Sequence, residues 1–332
     1  MAFTTKSKTR RFTSILAVAL AGAMTLSGPA QAESDWPTGP VKVIMHTKAG
    51  GSADVFIRTL AESLEPIIGQ PIVVINSPGG AGASQMSRIR PAKPDGLTLG
   101  VNTLTHFTGM LTNLKGTFAI DDFSWIAAAQ EDPNLVFAVK GSEIENLDDM
   151  VEKAKESGGT VNVGGFGPMG STQSIAISML ENEADVKFNW VAFNSTPDII
   201  AAVLGGHVDV GVSNLSGTNP FFDADRIKGV GVLAEERLEG LPGLETFAEQ
   251  GYDADASWVQ VRGIFGPAGI PMETQQKIAD SFHKAMQTEQ YQEYARNSGV
   301  TDSNLGPKGY TEFVYKVTEV ATRELKAAGV IE

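Results

Sequence analysis

The segment from residue 43 to residue 58, VIMHTKAGGSADVFIR, contains the pattern that decides the fold. An apolar run ends at Met45 and is followed by a short loop with one lysine, Lys48, and two adjacent glycines. From Ala53 onward, apolar residues recur at spacings of three and four, which is typical of an amphipathic helix. The segment therefore predicts a strand, a glycine turn and a helix, as at the start of a βαβ unit.

Strand-like and helix-like segments alternate along most of the chain. Further strand patterns occur at 71–76, 96–102, 134–140, 160–165, 188–193, 207–213, 227–234 and 259–267. Strands separated by helices of about 10–15 residues indicate parallel sheets with helical crossovers. A glycine-rich turn precedes a helix in each half of the chain, and residues 128–135 resemble a short polar crossing between the halves. These features predict an α/β protein of two similarly built domains.

The first 32 residues have the pattern of a secretory signal peptide. Four basic residues precede an apolar segment at 12–26, and Ala30–Ala32 forms a small-x-small cleavage site. The apolar segment is too short for a membrane span. We therefore expect cleavage after Ala32 and a periplasmic location for the remaining 300 residues, which exceed the usual size of one hydrophobic core.

The composition excludes several classes of function. Residues 33–332 contain 22 Lys and Arg against 39 Asp and Glu, a formal net charge of −17. Nucleic-acid binding needs a basic surface, so a nucleic-acid partner is not expected. The chain contains no cysteine, which excludes disulfides, thiol catalysis and thiolate metal sites. An anionic ligand would need a local positive potential to overcome the global charge.

The first glycine turn has the features of an anion-binding loop. The first N–H groups of a helix lack internal partners and lie at the positive end of the helix dipole. Adjacent glycines allow a ligand to approach this backbone closely. Ser52 is the predicted N-cap, and Lys48 adds a full positive charge at the rim. An ordinary capped turn with a surface lysine is the alternative explanation.

A second turn, GGFGPMGST at residues 164–172, repeats this arrangement. Gly165, Gly167 and Gly170 satisfy the G-x-G-x-x-G spacing, but Pro168 and the mid-chain position argue against dinucleotide binding. We interpret the turn as a second helix N-terminus that offers amides and hydroxyls. Two such turns, one in each domain, could hold one anionic group between them.

Catalytic and metal-binding patterns are absent from the sequence. The chain has no G-x-S-x-G, H-E-x-x-H or P-loop motif. The four histidines are scattered, and two of them, His46 and His106, follow predicted strands. Arg262 lies within an apolar strand, where a buried cation is costly without a partner. It either pairs with an internal carboxylate or points into a ligand cleft.

Together these residues resemble a known family, the periplasmic solute-binding receptors of tripartite tricarboxylate transporters. The resemblance begins near Trp36 and extends to the C-terminus. It is carried by WPTGPVKVIM, AGGSADVFIRTLAESLEPIIGQPIVVINSPGGAGA, AKPDGLTLGVNTLTH, GGFGPMGST, LGGHVDVGVSN and LPGLETFAEQGYDADASWVQVRGIFGPAGIP, in this order.

The resemblance implies a two-domain type II periplasmic-binding fold, with mostly parallel sheets flanked by helices and joined by crossing strands. Residues 33–133 and 256–332 would form domain 1, and residues 134–255 would form domain 2. A carboxylate would bind between the two glycine loops, without a cofactor or metal. The candidate ligand-binding residues are His46, Thr47, Lys48, Ala49, Gly50, Gly51, Ser52, Ala53, Asp54, Thr105, His106, Gly167, Gly170, Ser171, Thr172, Asn214 and Arg262.

The sequence departs from the family pattern at the first loop and at residues 261–263. Ala49 replaces the usual proline before the glycines, and His46 and Lys48 stand where small or apolar residues are common. Three functions are compatible with the chain: a monomeric receptor that delivers a small organic anion to membrane subunits, a receptor that reports its ligand to a signalling system, and an exported enzyme. The missing catalytic motifs favour the first two.

Overall fold

A computed structural model describes residues 1–4, 35–50, 52–157 and 160–332 of the chain. Residues 1–4 form neither helix nor strand, and most of the predicted signal peptide lies outside the described residues. Residues 35–332 form a single compact unit that contains two β-sheets. Among the helices of the described residues, none combines the length and apolar character needed to cross a bilayer.

Strands and helices alternate in nearly the predicted order. The strands are β1 (Val41–Met45), β2 (Ile72–Asn76), β3 (Thr98–Asn102), β4 (Phe123–Asp132), β5 (Asn134–Val139), β6 (Asn162–Phe166), β7 (Asn189–Phe193), β8 (Val210–Asn214), β9 (Ile227–Leu233), β10 (Gln260–Pro267) and β11 (Thr301–Asp302). The helices are α1 (Ser52–Ile68), α2 (Ala83–Ile89), α3 (Leu104–Leu111), α4 (Leu147–Ser157), α5 (Thr172–Ala184), α6 (Thr196–Leu204), α7 (Leu215–Asp223), α8 (Met272–Met286), α9 (Glu289–Ser298) and α10 (Pro307–Ala327).

The sequence patterns did not identify strand β4. Its residues, FSWIAAAQED, include three consecutive alanines and are buried at nearly every position. A strand that is covered on both faces does not show the alternation of apolar and polar residues that marks a half-exposed strand. β4 therefore shows no periodic signal, although it lies inside the first sheet.

The first sheet has the strand order β11-β4-β10-β3-β1-β2, and the second has the order β7-β6-β8-β5-β9. In the first, β1 is parallel to β2 and β3, while β10 is antiparallel to β3 and β4. In the second, β6 is parallel to β7 and β8, while β5 is antiparallel to β8 and β9. Both sheets are therefore mixed, with most strands in one direction.

The chain passes between the sheets twice. Only Pro133 separates β4 of the first sheet from β5 of the second. The return path runs through residues 234–259 between β9 and β10. Each sheet thus receives an antiparallel strand, β5 or β10, from a segment that has just crossed from the other sheet; β11 also runs antiparallel to β4. The strands of the first sheet lie within residues 33–133 and 256–332, and those of the second sheet lie within residues 134–255. The domain bounds themselves stay a prediction.

Apolar packing determines how the helices lie against the sheets. In α1, Phe56, Leu60 and Leu64 follow an i, i+4 spacing and are buried in one cluster with Met45 and Val101 of the first sheet. A separate cluster is shared by both sheets, because it contains Phe107 of α3, Val163 of β6, Ile175 of α5 and Val317 of α10. Helices α3 and α5, which begin at the ends of β3 and β6, are therefore in contact.

Helix α10 packs closely on the first sheet at one glycine. A Cβ atom added at Gly263 of β10 would lie 1.8 Å from the Oη atom of Tyr310. Tyr310 is fully buried, and its Oη accepts a hydrogen bond of 2.7 Å from Nδ2 of Asn102 in β3. Because glycine has no side chain, position 263 leaves room for Tyr310 of α10 to pack on β10 and to bond Asn102 of β3.

We expect Gly263→Ala to destabilise the protein by about 1–3 kcal/mol, because an added methyl group must displace a buried tyrosine. Urea unfolding measures the effect. Gly243→Ala is the control, since no atom lies within 4 Å of the added carbon there, and it should change stability by less than about 0.5 kcal/mol. Equal stability of the two variants would show that Tyr310 can move at no cost.

Candidate functional site

The first glycine loop connects β1 to α1 and is organised by the carboxylate of Asp54. Oδ2 of Asp54 accepts hydrogen bonds from the N–H of Gly50 and from Nε of Arg58, both at 2.9 Å. Oδ1 accepts one of 2.8 Å from Nδ2 of Asn76, and the same amide donates to the carbonyl of Thr47 at 3.0 Å. Asp54 is only 2% exposed. Its oxygens therefore hold the loop in shape.

The electrostatics of Asp54 follow from these contacts. The hydrogen bond from Arg58 is the largest cause that lowers the pKa of Asp54 to about 2; burial opposes it, while the bonds from Gly50 and Asn76 assist. The carboxylate is therefore ionised at neutral pH and is balanced by Arg58. Lys48 is exposed and forms no ion pair with the described residues.

The remaining residues of the first loop have different environments. Ala49 and Gly50 are exposed, and Gly50 has a φ of 82°, which favours glycine. Ala53 is buried in the core, and Oγ1 of Thr47 is buried without a partner in the described structure. Gly51 and the side chain of Ser52 lie outside the described residues. Because α1 begins at Ser52 itself, the N-cap role of this serine stays a prediction.

His46 follows β1 directly and lies beside the start of α3. Its ring centroid is 4.6 Å from that of His106, with an angle of 81° between the ring planes. Nε2 of His46 lies 3.5 Å from Oγ1 of Thr103. Burial lowers the pKa of His46 to about 4, and the backbone of Val101 opposes this change. The ring is therefore neutral at physiological pH.

His106 is part of a closed hydrogen-bond network. The N–H of Thr103 donates to Nδ1 of His106 at 3.1 Å, so the ring proton is assigned to Nε2, which donates to Oε1 of Gln85 at 2.7 Å. Nε2 of Gln85 then donates to the carbonyls of Ile44 and Val101 at 2.6 and 2.9 Å. Burial, together with His46, lowers the pKa of His106 well below its usual value. His106 thus fixes α3 against β1 and β3.

Helix α3 also contains Thr105. This residue is half-buried in the first turn of the helix, beside the enclosed His106. The first turn of α3 therefore borders His46 of the first loop, and α3 as a whole contacts α5, the helix that follows the second loop.

The second glycine loop joins β6 to α5. Gly167 and Gly170 have φ values of 81° and 86°, which other residues rarely adopt. The N–H of Gly167 donates to the carbonyl of Phe193 at 3.0 Å, and Nε1 of Trp190 donates to the carbonyl of Gly167 at 3.0 Å. These two hydrogen bonds attach the loop to β7. The positive φ values of its glycines give the loop a sharp turn.

Ser171 is the N-cap of α5, at the helix N-terminus that the sequence predicted for this turn. Its Oγ accepts from the N–H of Ser174 at 3.4 Å. Nε1 of Trp258, in the return crossing, donates to the carbonyl of Thr172 at 2.7 Å. The first amides of α5, those of Thr172 and Gln173, have no partner within the helix. They are available to a ligand at the positive end of a 13-residue helix.

Asn214 and Arg262 lie at the first crossing between the sheets. Asp132, the last residue of β4, is buried, and its carboxylate accepts a hydrogen bond from the hydroxyl of Ser216 in α7. Nη2 of Arg262 lies 3.8 Å from Oδ2 of Asp132. Nδ2 of Asn214 donates to the carbonyls of Asp132 and Pro133. Asn214 and Arg262, both predicted to contact the ligand, therefore stabilise the segment where the chain crosses between the sheets.

Arg262 thus has the internal carboxylate partner that was the first of its two predicted alternatives. It also donates from Nη1 to Oε1 of Gln130 at 2.9 Å and is 6% exposed. Burial raises the pKa of Asp132, while Arg262 and Ser216 act in the opposite direction. The positive charge of Arg262 is consequently balanced within the protein.

Several residues of the site were not identified from the sequence. Arg58 stands four positions after Asp54, a spacing that brings two side chains together on a helix, so the sequence contained a usable signal. Gln85, Asn76 and Asp132 carried none, because their partners are distant in the chain.

Two cavities between the described residues are lined by residues outside the two loops. One, of about 550 Å³, is bordered by Glu131, Pro133, residues 234–239 and the first half of α10. Another, of about 760 Å³, lies between α5 and the end of α10. None of the candidate ligand-binding residues lines either cavity. The amides of Gly50, Gly167 and Ser171 have internal acceptors, so the first amides of α5, and not an enclosed volume, identify the candidate site.

Comparisons with known proteins agree with this architecture. Residues 56–329 match the model of the tripartite tricarboxylate transporter family receptors, and the chain belongs to this family. The chain is 26% identical over 301 residues to the UPF0065 protein in the gbd 5′ region of Cupriavidus necator. The aligned region covers 90% of each chain. The resemblance found in the sequence is therefore confirmed.

Solved structures show the same fold. A TctC solute-binding protein from Polaromonas superimposes with a TM-score of 0.79 at 21% identity, over 88% of this chain and 99% of that one. A Rhodopseudomonas palustris protein solved with adipate has a TM-score of 0.72 at 21% identity, over 89% and 98%. MatC of the same organism, with bound malate, has a TM-score of 0.65 at 24% identity, over 89% and 100%. The two-domain type II binding-protein fold is confirmed.

We expect Asp54→Asn to lower stability by about 1–3 kcal/mol near pH 7, because an amide cannot accept all three donors. The folded-state pKa of Asp54, about 2, lies below its ordinary value of 3.8. Its contribution is therefore present above the ordinary value and lost as pH falls towards 2. Urea unfolding near pH 7 and near pH 3 should show the difference from wild type shrinking at the lower pH.

Asp253→Asn is the control for this variant. Asp253 is exposed, and its replacement should change stability by less than about 0.5 kcal/mol at either pH. If Asp54→Asn behaved like Asp253→Asn, the hydrogen bonds to Gly50, Arg58 and Asn76 would not determine the stability of the first loop.

A second prediction concerns the pH dependence that His46 contributes. The folded-state pKa of about 4 lies below the ordinary value of 6.5, so the unfolded chain binds a proton that the folded protein excludes. Stability from this group is complete above the ordinary value and declines by up to about 1.4 kcal/mol per pH unit below it. His46→Gln should flatten the profile of stability against pH between these two values, as measured by urea unfolding.

His207→Gln serves as the control, because His207 is exposed on the surface. It should leave the slope of the wild-type profile unchanged. A slope that His46→Gln did not reduce would mean that His46 is protonated in the folded protein.

Proposed function

We propose that the protein captures a small organic anion in the periplasm, a di- or tricarboxylate or a related carboxylic acid, and delivers it to the membrane subunits of a tripartite tricarboxylate-type transporter. The observation that carries this proposal is the pairing of two glycine loops on separate sheets. One follows β1 and precedes α1, and the other follows β6 and precedes α5. Membership of the receptor family supports the role in transport.

The electrostatics of the loops support an anionic ligand. Each loop leads into a helix N-terminus whose first amides lack internal partners and whose dipole favours negative charge. Lys48 adds a full charge beside the first loop. The whole chain has a net charge of −13, so these local groups must supply the attraction that the global field opposes.

Related proteins support the choice of carboxylates. The structures with adipate and with malate share the fold of this chain over nearly its whole described length. Adipate and malate are both carboxylates of a few carbon atoms. We extend the class of ligand, and neither particular compound, to this protein.

In the proposed cycle, the ligand carboxylate lies between the two loops and brings them closer together. The predicted domains, residues 33–133 with 256–332 and residues 134–255, would rotate about the crossing at Pro133. Such closure is a shift in population, driven by contacts that exist only in the closed state. A monomer can present the closed form to the membrane subunits.

Catalysis finds no support in the geometry of the site. Thr103 and His46 form a hydroxyl–imidazole pair at 3.5 Å, which is the arrangement that nucleophilic catalysis would require. However, burial lowers the pKa of His46 to about 4, and among the described residues no carboxylate forms an ion pair with the ring to make it a stronger base. We therefore propose binding without reaction.

We expect Gly50→Ala and Gly170→Ala each to weaken carboxylate binding about tenfold, because a side chain at a positive φ distorts the loop that presents the amides. Titration calorimetry with the best ligand from a thermal-shift screen measures the affinity. In that screen, a ligand at 100 times its dissociation constant adds about 2.7 kcal/mol of stability.

Gly141→Ala is a matched control. Gly141 has a φ of 84°, similar to those of Gly50 and Gly170, but it lies in the turn after β5 and has no atom within 4 Å of an added Cβ. It should lose stability comparable to Gly50→Ala, where the added carbon likewise meets no atom within 4 Å, and keep full affinity. If no carboxylate raised the melting temperature, or if all three variants bound equally, the two loops would not form a carboxylate site.

A further inference from the structure

We infer that Trp258, in the return crossing at residues 234–259, is a positioning residue for the proposed anion site. Its indole ring holds the peptide group between Thr172 and Gln173 and thereby sets the direction in which the N–H of Gln173 meets a bound carboxylate. The inference rests on the proposed function, because it assigns to Trp258 a part in the binding that the two loops perform. It is carried by one hydrogen bond and by the planarity of the peptide group that accepts it.

The peptide group between Thr172 and Gln173 contains one of the free amides of α5. The helix begins at Thr172, directly after its N-cap Ser171. Among the described residues, no acceptor binds the N–H of Thr172 or that of Gln173. The next two amides are occupied, because Ser174 donates to Oγ of Ser171 and Ile175 donates to its carbonyl. The first two amides of α5 are therefore the ones that remain for an anion.

Trp258 binds the opposite end of this same peptide group. Its Nε1 donates to the carbonyl oxygen of Thr172 at 2.7 Å. The carbonyl of Thr172 and the N–H of Gln173 belong to one planar trans unit and point in opposite directions. A donor that fixes the oxygen consequently also fixes the direction of the N–H. The same hydrogen bond polarises the amide, which makes its N–H a stronger donor to an anion.

The indole ring is itself held in place. Trp258 is fully buried and belongs to the apolar cluster that also contains Ile175 of α5 and Leu325 of α10. Its backbone N–H donates to the carbonyl of Asp255 at 3.0 Å, and Oδ1 of Asp255 accepts from the N–H of Ser257 at 3.1 Å. Hydrogen bonds within the turn therefore fix the backbone that carries the ring. A support of this kind keeps a binding group in its productive direction.

Gln173 is restrained from the other side as well. Oε1 of its side chain accepts a hydrogen bond of 2.6 Å from the N–H of Phe166, the last residue of β6. The side chain is thus bound to the second loop, while the carbonyl that precedes Gln173 is bound to the return crossing. Holding the residue on both sides reduces the ordering that ligand binding must impose.

The contact joins the proposed site to the segment that changes sheets. Trp258 lies two residues before β10, which enters the first sheet, whereas Thr172 begins the helix that follows β6 of the second sheet. A residue outside both glycine loops therefore acts directly on an amide of the site.

Nuclear magnetic resonance on the ¹⁵N-labelled wild-type protein tests this link without a substitution. The probe is whichever of acetate, adipate, malate and citrate raises the melting temperature most. When the probe accepts from the N–H of Gln173, the carbonyl of Thr172 becomes a stronger acceptor, and the indole N–H signal of Trp258 should move downfield. The indole signal of Trp36, which donates to the carbonyl of Gly96 at 3.0 Å, is the reference and should not move.

Matched substitutions test the effect on affinity. Trp258→Phe keeps an aromatic ring but removes the indole donor, and we expect it to weaken binding of the probe about tenfold in titration calorimetry. Trp36→Phe is the control, because Trp36 is also buried and also binds a backbone carbonyl, but it packs in the separate cluster around α1. Both variants should lower the urea midpoint, and only Trp258→Phe should lower the affinity.

Each outcome decides the inference. Unchanged affinity in Trp258→Phe, or an equal loss in both variants, would overturn it, while binding of the probe by the wild type would leave the proposed function intact. An indole signal of Trp258 that moved no more than that of Trp36 would also overturn it, and this result does not depend on the folding of any variant. If none of the four acids raised the melting temperature, the proposed function and the inference would both be wrong.

Discussion

The carboxylate of Asp132 is the contact on which the two-sheet arrangement depends. It ends β4 of the first sheet, accepts a hydrogen bond from Ser216 beside the second sheet, and faces Arg262 of β10. Asn214 binds the backbone on both sides of the same peptide bond, at Asp132 and Pro133. Loss of either charged partner would leave an uncompensated charge in the interior, which is strongly unfavourable. The point where the chain changes sheets is thus held by several buried polar contacts.

The two glycine loops depend on this crossing for their relative position and on local contacts for their shape. Asp54 shapes the first loop through Gly50, Arg58 and Asn76, whereas Ser171 and Trp258 secure the start of α5. In both loops the side chains are used mainly to hold the backbone. The backbone amides remain as the groups that can meet an anion, which agrees with the family to which the chain belongs.

Most of the basic side chains around these loops are paired with an acidic group or are neutral. Arg58 and Arg262, which the sequence shows only as cations, are each balanced by a buried aspartate. His46 and His106 are held neutral by burial. The local field therefore comes from helix N-termini and Lys48. The proposed anion site of this acidic protein would therefore not depend on a cluster of basic residues.

Periodic segments allowed most of the fold to be predicted. The strand, turn and helix at residues 43–58 were recognised because their apolar spacing is a local property of the chain. The helix N-terminus after the second glycine loop was recognised for the same reason. β4 was missed because a fully covered strand has no alternation of apolar and polar residues. The resemblance to the receptor family supplied the predicted domain bounds, which periodicity alone does not contain.

The sequence by itself determined the alternation of strands and helices, the two glycine loops and the absence of cysteine chemistry, because these features depend on residue types and short spacings. Only the tertiary structure decided the roles of the individual side chains. Arg262 and Asp132 are 130 positions apart in the chain and meet because β10 pairs with β4. His106 reaches Gln85, and Asp54 reaches Asn76, through contacts across the first sheet. Whether a charged residue faces a ligand or a buried partner depends on such distant contacts, and these form only when the chain folds.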